Sequence, residues 1–239
     1  MFNLGMIDLL VKELVPFARE KGKVMSLARH GISTPPAIVK RYLENKAINT
    51  QIDGYGWDVM MTSKELFKCF QFEHYDDVDF TAKEGCSLVH DLNMPIAREY
   101  TNNYDLVFEV GTIEHVFDMK SVFSNIVSML KVGGTVFHCS PLSPINHGFY
   151  NFSPTIFHDV YRCNGFTDFH FFIVNHPQDY CNNHGIVYKE IDYSTKEYNI
   201  SHEPDAYLML AFMAKKAHDV TPFCVPTQAF YDKNFRRPD

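Results

Sequence analysis

Residues 104–139, YDLVFEVGTIEHVFDMKSVFSNIVSMLKVGGTVFHCS, read without a gap as strand, acidic turn, amphipathic helix, Gly-Gly turn and second buried strand. Asp105 to Val110 is a short apolar run ending in polar residues, as expected of a strand buried on both faces of a parallel sheet. Asp118 is placed to cap a helix in which Met119, Val122, Phe123, Ile126, Val127 and Leu130 recur at helical spacing and present one apolar stripe to that sheet. Gly133 and Gly134 are expected to end the helix, and Thr135 to Cys139 follows as the next strand. A crossover this compact predicts a right-handed, parallel strand-helix-strand unit. It is half of a nucleotide-type α/β domain.

The remaining segments extend the same pattern. Ile7 to Arg19 is amphipathic with Pro16 inside it, predicting a kinked helix outside the sheet edge. Lys23 to Ala28 reads as the first strand, Pro35-Pro36 as the start of a helix toward Leu43, and residues 44–70 as an irregular insertion with a short helix from Ser63 to Phe70. A second strand ends at Val78-Asp79-Phe80, and a third runs from Cys86 to His90. A helix begins near Ser153 with Pro154 at its first position. Phe166 to Val174 and Ala206 to Lys215 are two further strands, joined by a long connection from Asn175 to Pro204. Such a connection suits a lid, a substrate wall or a subunit contact. After Val220 the tail carries several aromatic residues and prolines at 222, 226 and 238, and reads as extended and packed on a neighbour. A homo-oligomer is therefore one expected state.

Composition sets limits. A chain of 239 residues with 46% apolar content suits one sizeable core, so a single domain is expected. Its divisions are an N-terminal helix (1–20), a core (21–174), an insertion or lid (175–205) and a last strand with tail (206–239). The formal charge of -7 argues against a general affinity for nucleic acid. Six cysteines, at 69, 86, 139, 163, 181 and 224, show no Cys-x-x-Cys pair and read as reduced thiols. No basic segment followed by an apolar stretch opens the chain, and the longest apolar run, Tyr207 to Ala214, is too short for a bilayer. A soluble cytoplasmic protein with no membrane partner is expected. Metal ligands are not expected either, because no His-x-x-x-His pair with a nearby third ligand is present.

Several motifs in order carry a family resemblance: His90-Asp91-Leu92-Asn93-Met94-Pro95-Ile96, Tyr104-Asp105-Leu106-Val107, Glu114-His115-Val116, Met129 to Gly134 with Pro141, His147 to Pro154, and Asn164-Gly165-Phe166. Together they resemble class I S-adenosylmethionine-dependent methyltransferases over roughly residues 79–175. The resemblance implies a Rossmann-like, seven-stranded, mostly parallel sheet with helices on both faces and a C-terminal antiparallel hairpin. It also implies S-adenosyl-L-methionine as cofactor; it does not specify the substrate, for which a small polar molecule such as a sugar or another metabolite is the leading expectation. The chain departs from the family in the first turn, where Ser26-Leu27-Ala28-Arg29-His30-Gly31 replaces the usual acidic residue and glycine-rich loop.

Site residues follow from this frame. Ala28, Arg29, His30 and Gly31 are expected beside the cofactor, with Arg29 or His30 holding its carboxylate by a charge-assisted hydrogen bond. The altered turn also admits a site that has lost ordinary cofactor affinity. A carboxylate at the end of the second strand accepts from a ribose diol, which selects Asp79 beside Phe80, with Asp76 and Asp77 as rivals. Asp91 is expected at the adenine amino group with Leu92 over the ring. Glu109, Val110 and Gly111, at the end of the fourth strand, are expected near the cofactor's amino group. His147 and Tyr150 lie in a loop suited to substrate, and His147 is the first candidate base, ahead of Glu109 and His115. The reading from another class is a non-catalytic binding or assembly module on the same fold.

Overall fold

The computed structural model describes residues 3–50, 60–83, 85–177, 187–193 and 206–234. Eight strands form one sheet: β1 (Lys23–Leu27), β2 (His74–Asp79), β3 (Leu88–Val89), β4 (Tyr104–Val110), β5 (Leu130–Pro141), β6 (Phe166–Pro177), β7 (Val187–Ile191) and β8 (Ala206–Lys216). Their order is β3-β2-β1-β4-β5-β8-β6-β7. The first five are mutually parallel, with Val24 beside Leu106 and Phe108 beside Phe137. Strand β8 enters antiparallel to both β5 and β6, and β7 is antiparallel to β6. The expected mostly parallel sheet with a terminal antiparallel element is therefore present, with eight strands rather than seven. The additional strand is β7, which lies inside the connection read as an insertion. Its Ile191 docks beside Phe171 and is buried, so edge pairing fixes this segment. The rest of that connection, residues 178–186 and 194–205, lies outside the described residues, as do Gly54, Gly56 and Trp57.

Helices cover both faces. On one face lie α1 (Leu4–Leu9), a π turn (Leu10–Leu14), α2 (Val15–Phe17), α3 (Pro36–Asn45) and α4 (Ser63–Cys69). Ile7, Leu10 and Leu14 join Val24, Phe108, Phe137 and Phe172 in one core, so the N-terminal helix crosses the sheet face instead of lying outside its edge. Its wide turn sits just before Pro16, which has no N–H to continue the helical ladder. On the other face lie α5 (Met119–Met129) and α6 (Pro154–Cys163). Here Val122, Phe123, Ile126 and Phe157 pack with Met25, Val107, Val136 and Phe212. A short α7 (Ala229–Asn234) occupies part of the tail that was expected to be extended. None of the described cysteines forms a disulfide. No described helix is long and apolar enough to cross a membrane.

Two local rules act as expected and one does not. The Asp118 carboxylate accepts from the Ser121 N–H at 3.1 Å, and the Ser153 hydroxyl accepts from the Thr155 N–H at 3.2 Å, capping α5 and α6. Gly133 and Gly134, however, do not terminate α5. The helix ends at Met129, and the two glycines lie within β5, where the pairing with β4 shifts between Tyr104–Leu130 and Leu106–Thr135. Gly133 has φ +88°, and a Cβ on Gly134 would sit 2.9 Å from the Lys131 carbonyl oxygen. The pair forms a bulge that only glycine fits. The stop comes instead from Lys216, whose buried ammonium donates to the Val127 and Leu130 carbonyls at 2.9 Å each.

Phe212 joins the two halves of the second core, with its ring stacked on Phe157 at 5.3 Å and on Tyr161 at 5.3 Å. Phe212→Ala should cost about 3–5 kcal/mol, read as a lower urea midpoint.

Candidate functional site

The carboxyl ends of β1 to β4 open on one crevice with a cavity of ≈ 440 Å³.

 Ala28 stands at the end of β1; Val78, Asp79 and Phe80 come from β2; His90, Asp91, Leu92 and Asn93 follow β3; Gly111, Thr112, His115 and Val116 follow β4. This is the place where open α/β sheets bind ligands. Of the expected cofactor residues, Ala28, Asp79, Phe80, Asp91, Leu92 and Gly111 line it; Arg29, His30, Gly31, Glu109 and Val110 do not. His90, Asn93, Thr112 and Val116 were not singled out from the sequence, although each adjoins a residue that was or lies within the resembling motifs. A larger hollow of ≈ 620 Å³ lies at the other end of the sheet, against β6 and β7, where Glu190 is bonded to His170 at 2.7 Å.

The structure separates the three acids of β2. Asp76 accepts from the Tyr104 hydroxyl at 3.0 Å. Asp77 is fully buried and accepts from Arg29 Nε at 2.5 Å and from the Ser87 N–H at 2.7 Å. Asp79 alone of the three lines the crevice, with Oδ1 held by the Thr81 N–H at 2.9 Å. Across the crevice, Asp91 Oδ1 accepts from the Asn93 N–H and Nδ2 at 2.9 and 2.8 Å, and these bonds hold its carboxyl below the usual range. The second oxygen of each carboxylate makes no hydrogen bond among the described residues. Behind this loop, the buried Asn125 side chain of α5 donates to the Leu92 and Met94 carbonyls and accepts from the Ile96 N–H at 2.8 Å.

The altered first turn does not present charge to the crevice. Arg29 forms an ion pair with Asp77 instead of lining the crevice. His30 is buried against Phe108, with Nε2 3.1 Å from the Leu27 carbonyl, and burial pulls its pKa down to about 4. A neutral imidazole in the core holds no carboxylate by charge. Gly31 pairs with Thr62 in an isolated bridge. Ala28 has φ +74°, the left-handed conformation that a glycine adopts without strain. The turn thus keeps a glycine-like backbone with an alanine in it.

Glu109 is also withdrawn from the crevice. Fully buried, it accepts from the Thr112 N–H at 2.8 Å, His138 Nδ1 at 2.9 Å and the Ser140 hydroxyl at 2.8 Å. Burial pushes its pKa up, but these donors hold it below the usual value. It lines no part of the crevice, and its His138 partner was not singled out from the sequence.

At the mouth of the crevice the turn after β4 meets the loop after β5. The Phe149 N–H donates to the Glu114 carbonyl at 2.8 Å, and the Tyr150 hydroxyl donates to the Phe117 carbonyl at 2.9 Å. A Cβ on Gly148 would lie 2.8 Å from Glu114 Cγ, so glycine permits this approach. His147 is thereby brought over Glu114, with Nε2 3.2 Å from Oε1 but not aligned for a hydrogen bond. His115 Nε2 lies 3.8 Å from the same oxygen. The Glu114 side chain is fully buried, yet neither carboxylate oxygen has a hydrogen-bond partner, and burial raises its pKa to about 8. Burial and the nearby His147 lower that of His115. The first and last of the trio are 33 positions apart in sequence, which is why spacing alone did not reveal it.

Two outcomes follow. Ala28→Gly should raise stability by about 0.5–1 kcal/mol, because relief of left-handed strain exceeds the added entropy of the unfolded chain, as a urea midpoint would show. For His30, a folded pKa below the unfolded value means stability present above pH about 6.5 and lost as pH falls toward 4. His30→Gln should therefore reduce the acid sensitivity of the urea midpoint between those limits.

No family model and no curated protein matches this sequence. Among solved structures, the chain is similar to a SAM-dependent methyltransferase from Archaeoglobus fulgidus, with 12% identity, TM-score 0.46, and coverage of 88% of this chain and 93% of that one. It is also similar to a SAM-dependent methyltransferase of Thermotoga maritima described as a possible histamine N-methyltransferase, with 13% identity, TM-score 0.48, and coverage of 86% and 87%. A third is the Haemonchus contortus phosphoethanolamine N-methyltransferase 2 in complex with phosphomonomethylethanolamine and S-adenosylhomocysteine, with 13% identity, TM-score 0.45, and coverage of 88% and 53%. By its own strand order, its antiparallel β8 and the crevice over β1 to β4, the chain has a Rossmann-like, mostly parallel α/β fold.

Proposed function

We propose that this protein transfers a methyl group from S-adenosylmethionine to a small polar molecule, such as a sugar or another metabolite. The observation that carries this reading is the pairing of Asp79 and Asp91 in one crevice, each with an oxygen not engaged by the protein. Asp79 is positioned by its strand end to accept from a ribose diol, and Asp91 to accept from an adenine amino group. Leu92 and the exposed Phe80 supply apolar surface for the base. The residues therefore fit the nucleoside part of the cofactor. The cofactor supplies an electrophilic methyl on a sulfonium, whose C–S bond breaks as a bond to the acceptor's oxygen, nitrogen or carbon forms.

The chain's remaining task is to hold the acceptor in line and exclude water. Phe117 and Phe149 are exposed beside the crevice and meet edge to face at 5.7 Å, with Tyr150 next to both. These rings suit an acceptor with an apolar face, sugars included. For a hydroxyl acceptor, His147 takes the proton, standing over Glu114 and half exposed. The net charge of -7 favours a small acceptor over a phosphate backbone.

Calorimetric titration with S-adenosylmethionine and S-adenosylhomocysteine tests the reading. Saturable binding is expected, weakened about tenfold or more by Asp79→Ala and by Asp91→Ala, since each removes a charged hydrogen-bond acceptor worth roughly 1.5–3 kcal/mol. A folded protein that binds neither compound would favour the non-catalytic module instead.

A further inference from the structure

Glu114 is the buried carboxylate that the preceding reading leaves without chemistry. Both oxygens lack a hydrogen-bond partner, and no Lys or Arg pairs with it among the described residues. Leaving a carboxylate buried and unpaired is costly, so such a group is normally neutralised, paired or bound to a metal. The two side chains that face it are imidazoles, each with a nitrogen able to coordinate.

We propose that Glu114, His115 and His147 form a site for a divalent transition-metal ion at the mouth of the crevice. One ligand atom from each residue lies within 4.8 Å of the others. A tetrahedral ion bound at about 2.0–2.2 Å needs its ligand atoms roughly 3.3 Å apart, so the site closes when side-chain rotations bring ligand atoms together by up to about 1.5 Å. The two histidines are free to make them, with side-chain exposures of 51% and 43% and rings 5.3 Å apart. The carboxylate is the rigid member. A Cβ on Gly111 would approach Oε1 to 3.4 Å, Gly148 packs on its Cγ, and its own carbonyl is held by Phe149.

Two imidazoles and one carboxylate select borderline divalent ions such as Zn²⁺, Fe²⁺, Mn²⁺ or Co²⁺, and three protein ligands leave coordination positions open. Because His115 lines the crevice, an open position there would hold the acceptor's oxygen and lower its pKa so that its proton passes to solvent water, His147 being a ligand while the ion is bound and the base only in its absence. That use of the ion rests on the methyl-transfer reading. Metal binding does not.

The full-length chain, stripped with a chelator, is titrated with Co²⁺ while visible absorbance is followed, and Zn²⁺ is added as competitor. One equivalent should bind saturably, with ligand-field bands that Zn²⁺ abolishes. Glu114→Gln and His147→Ala should each weaken binding by at least about 100-fold, beyond the range typical of outer-shell changes. Glu114→Gln keeps the side-chain shape and removes the buried charge, so the metal-free variant should melt no lower than the metal-free parent, and added Zn²⁺ should raise the melting temperature of the parent alone. Absence of saturable Co²⁺ binding, or equal binding by Glu114→Gln, would overturn the site. Titration of the same stripped protein with S-adenosylhomocysteine reads the cofactor crevice separately.

Discussion

The buried carboxylate of Glu109 is the interaction on which the functional end of the molecule depends. It gathers donors from the turn after β4, from two positions of β5 and, through His138, from the Tyr161 hydroxyl of α6 at 2.6 Å. Thr112, which gives its N–H to Glu109, spends its hydroxyl on the Leu27 carbonyl at 2.8 Å and so reaches β1 as well. A buried carboxylate needs its donors, and loss of one hydrogen bond to it costs roughly 1.5–3 kcal/mol. The network therefore holds the turn at Gly111 to His115 in one place. The crevice wall and the Glu114 cluster both hang from that turn.

Local signals in the sequence carry the scaffold well. The periodicity of Met119 to Val127 and the cap at Asp118 locate α5, and the apolar runs locate β1, β4 and β5. They work because each reports a face or an end of its own element. Asp79 and Asp91 are legible for the same reason, since strand ends in this topology converge on the crevice. What local signals omit is the distant partner. Nothing in Ala28-Arg29-His30 says that Asp77 will take the guanidinium or that Phe108 will bury the imidazole. Likewise, a histidine in the apolar run of β5 and an asparagine on the apolar side of α5 look like exceptions until their partners, Glu109 and the 92–96 loop, are in view. Strand β7 escaped because a short edge strand inside a long connection has little pattern of its own, and the Gly-Gly pair misled because a bulge and a helix stop use the same residue.

The crevice combines two kinds of construction. The wall that carries Asp79 and Asp91 is made of strand ends, each fixed by the hydrogen-bond ladder of the sheet and trimmed by short-range bonds such as Asp79 to Thr81. The other wall is made by two loops leaning on each other, fastened by backbone bonds at Glu114 and Phe117. The first kind keeps its geometry as long as the sheet exists. The second keeps it only while the loops touch.

That contact gives Gly148 an unusual position. The glycine belongs to neither ligand nor core, yet the space beside Glu114 admits its hydrogen and nothing larger. A methyl group there would act as a wedge, parting the loop after β5 from the turn after β4 while leaving the sheet and both crevice aspartates where they are. The aspartate wall and the loop wall of the crevice are thus mechanically separable in this chain, and the joint between them is one hydrogen atom wide.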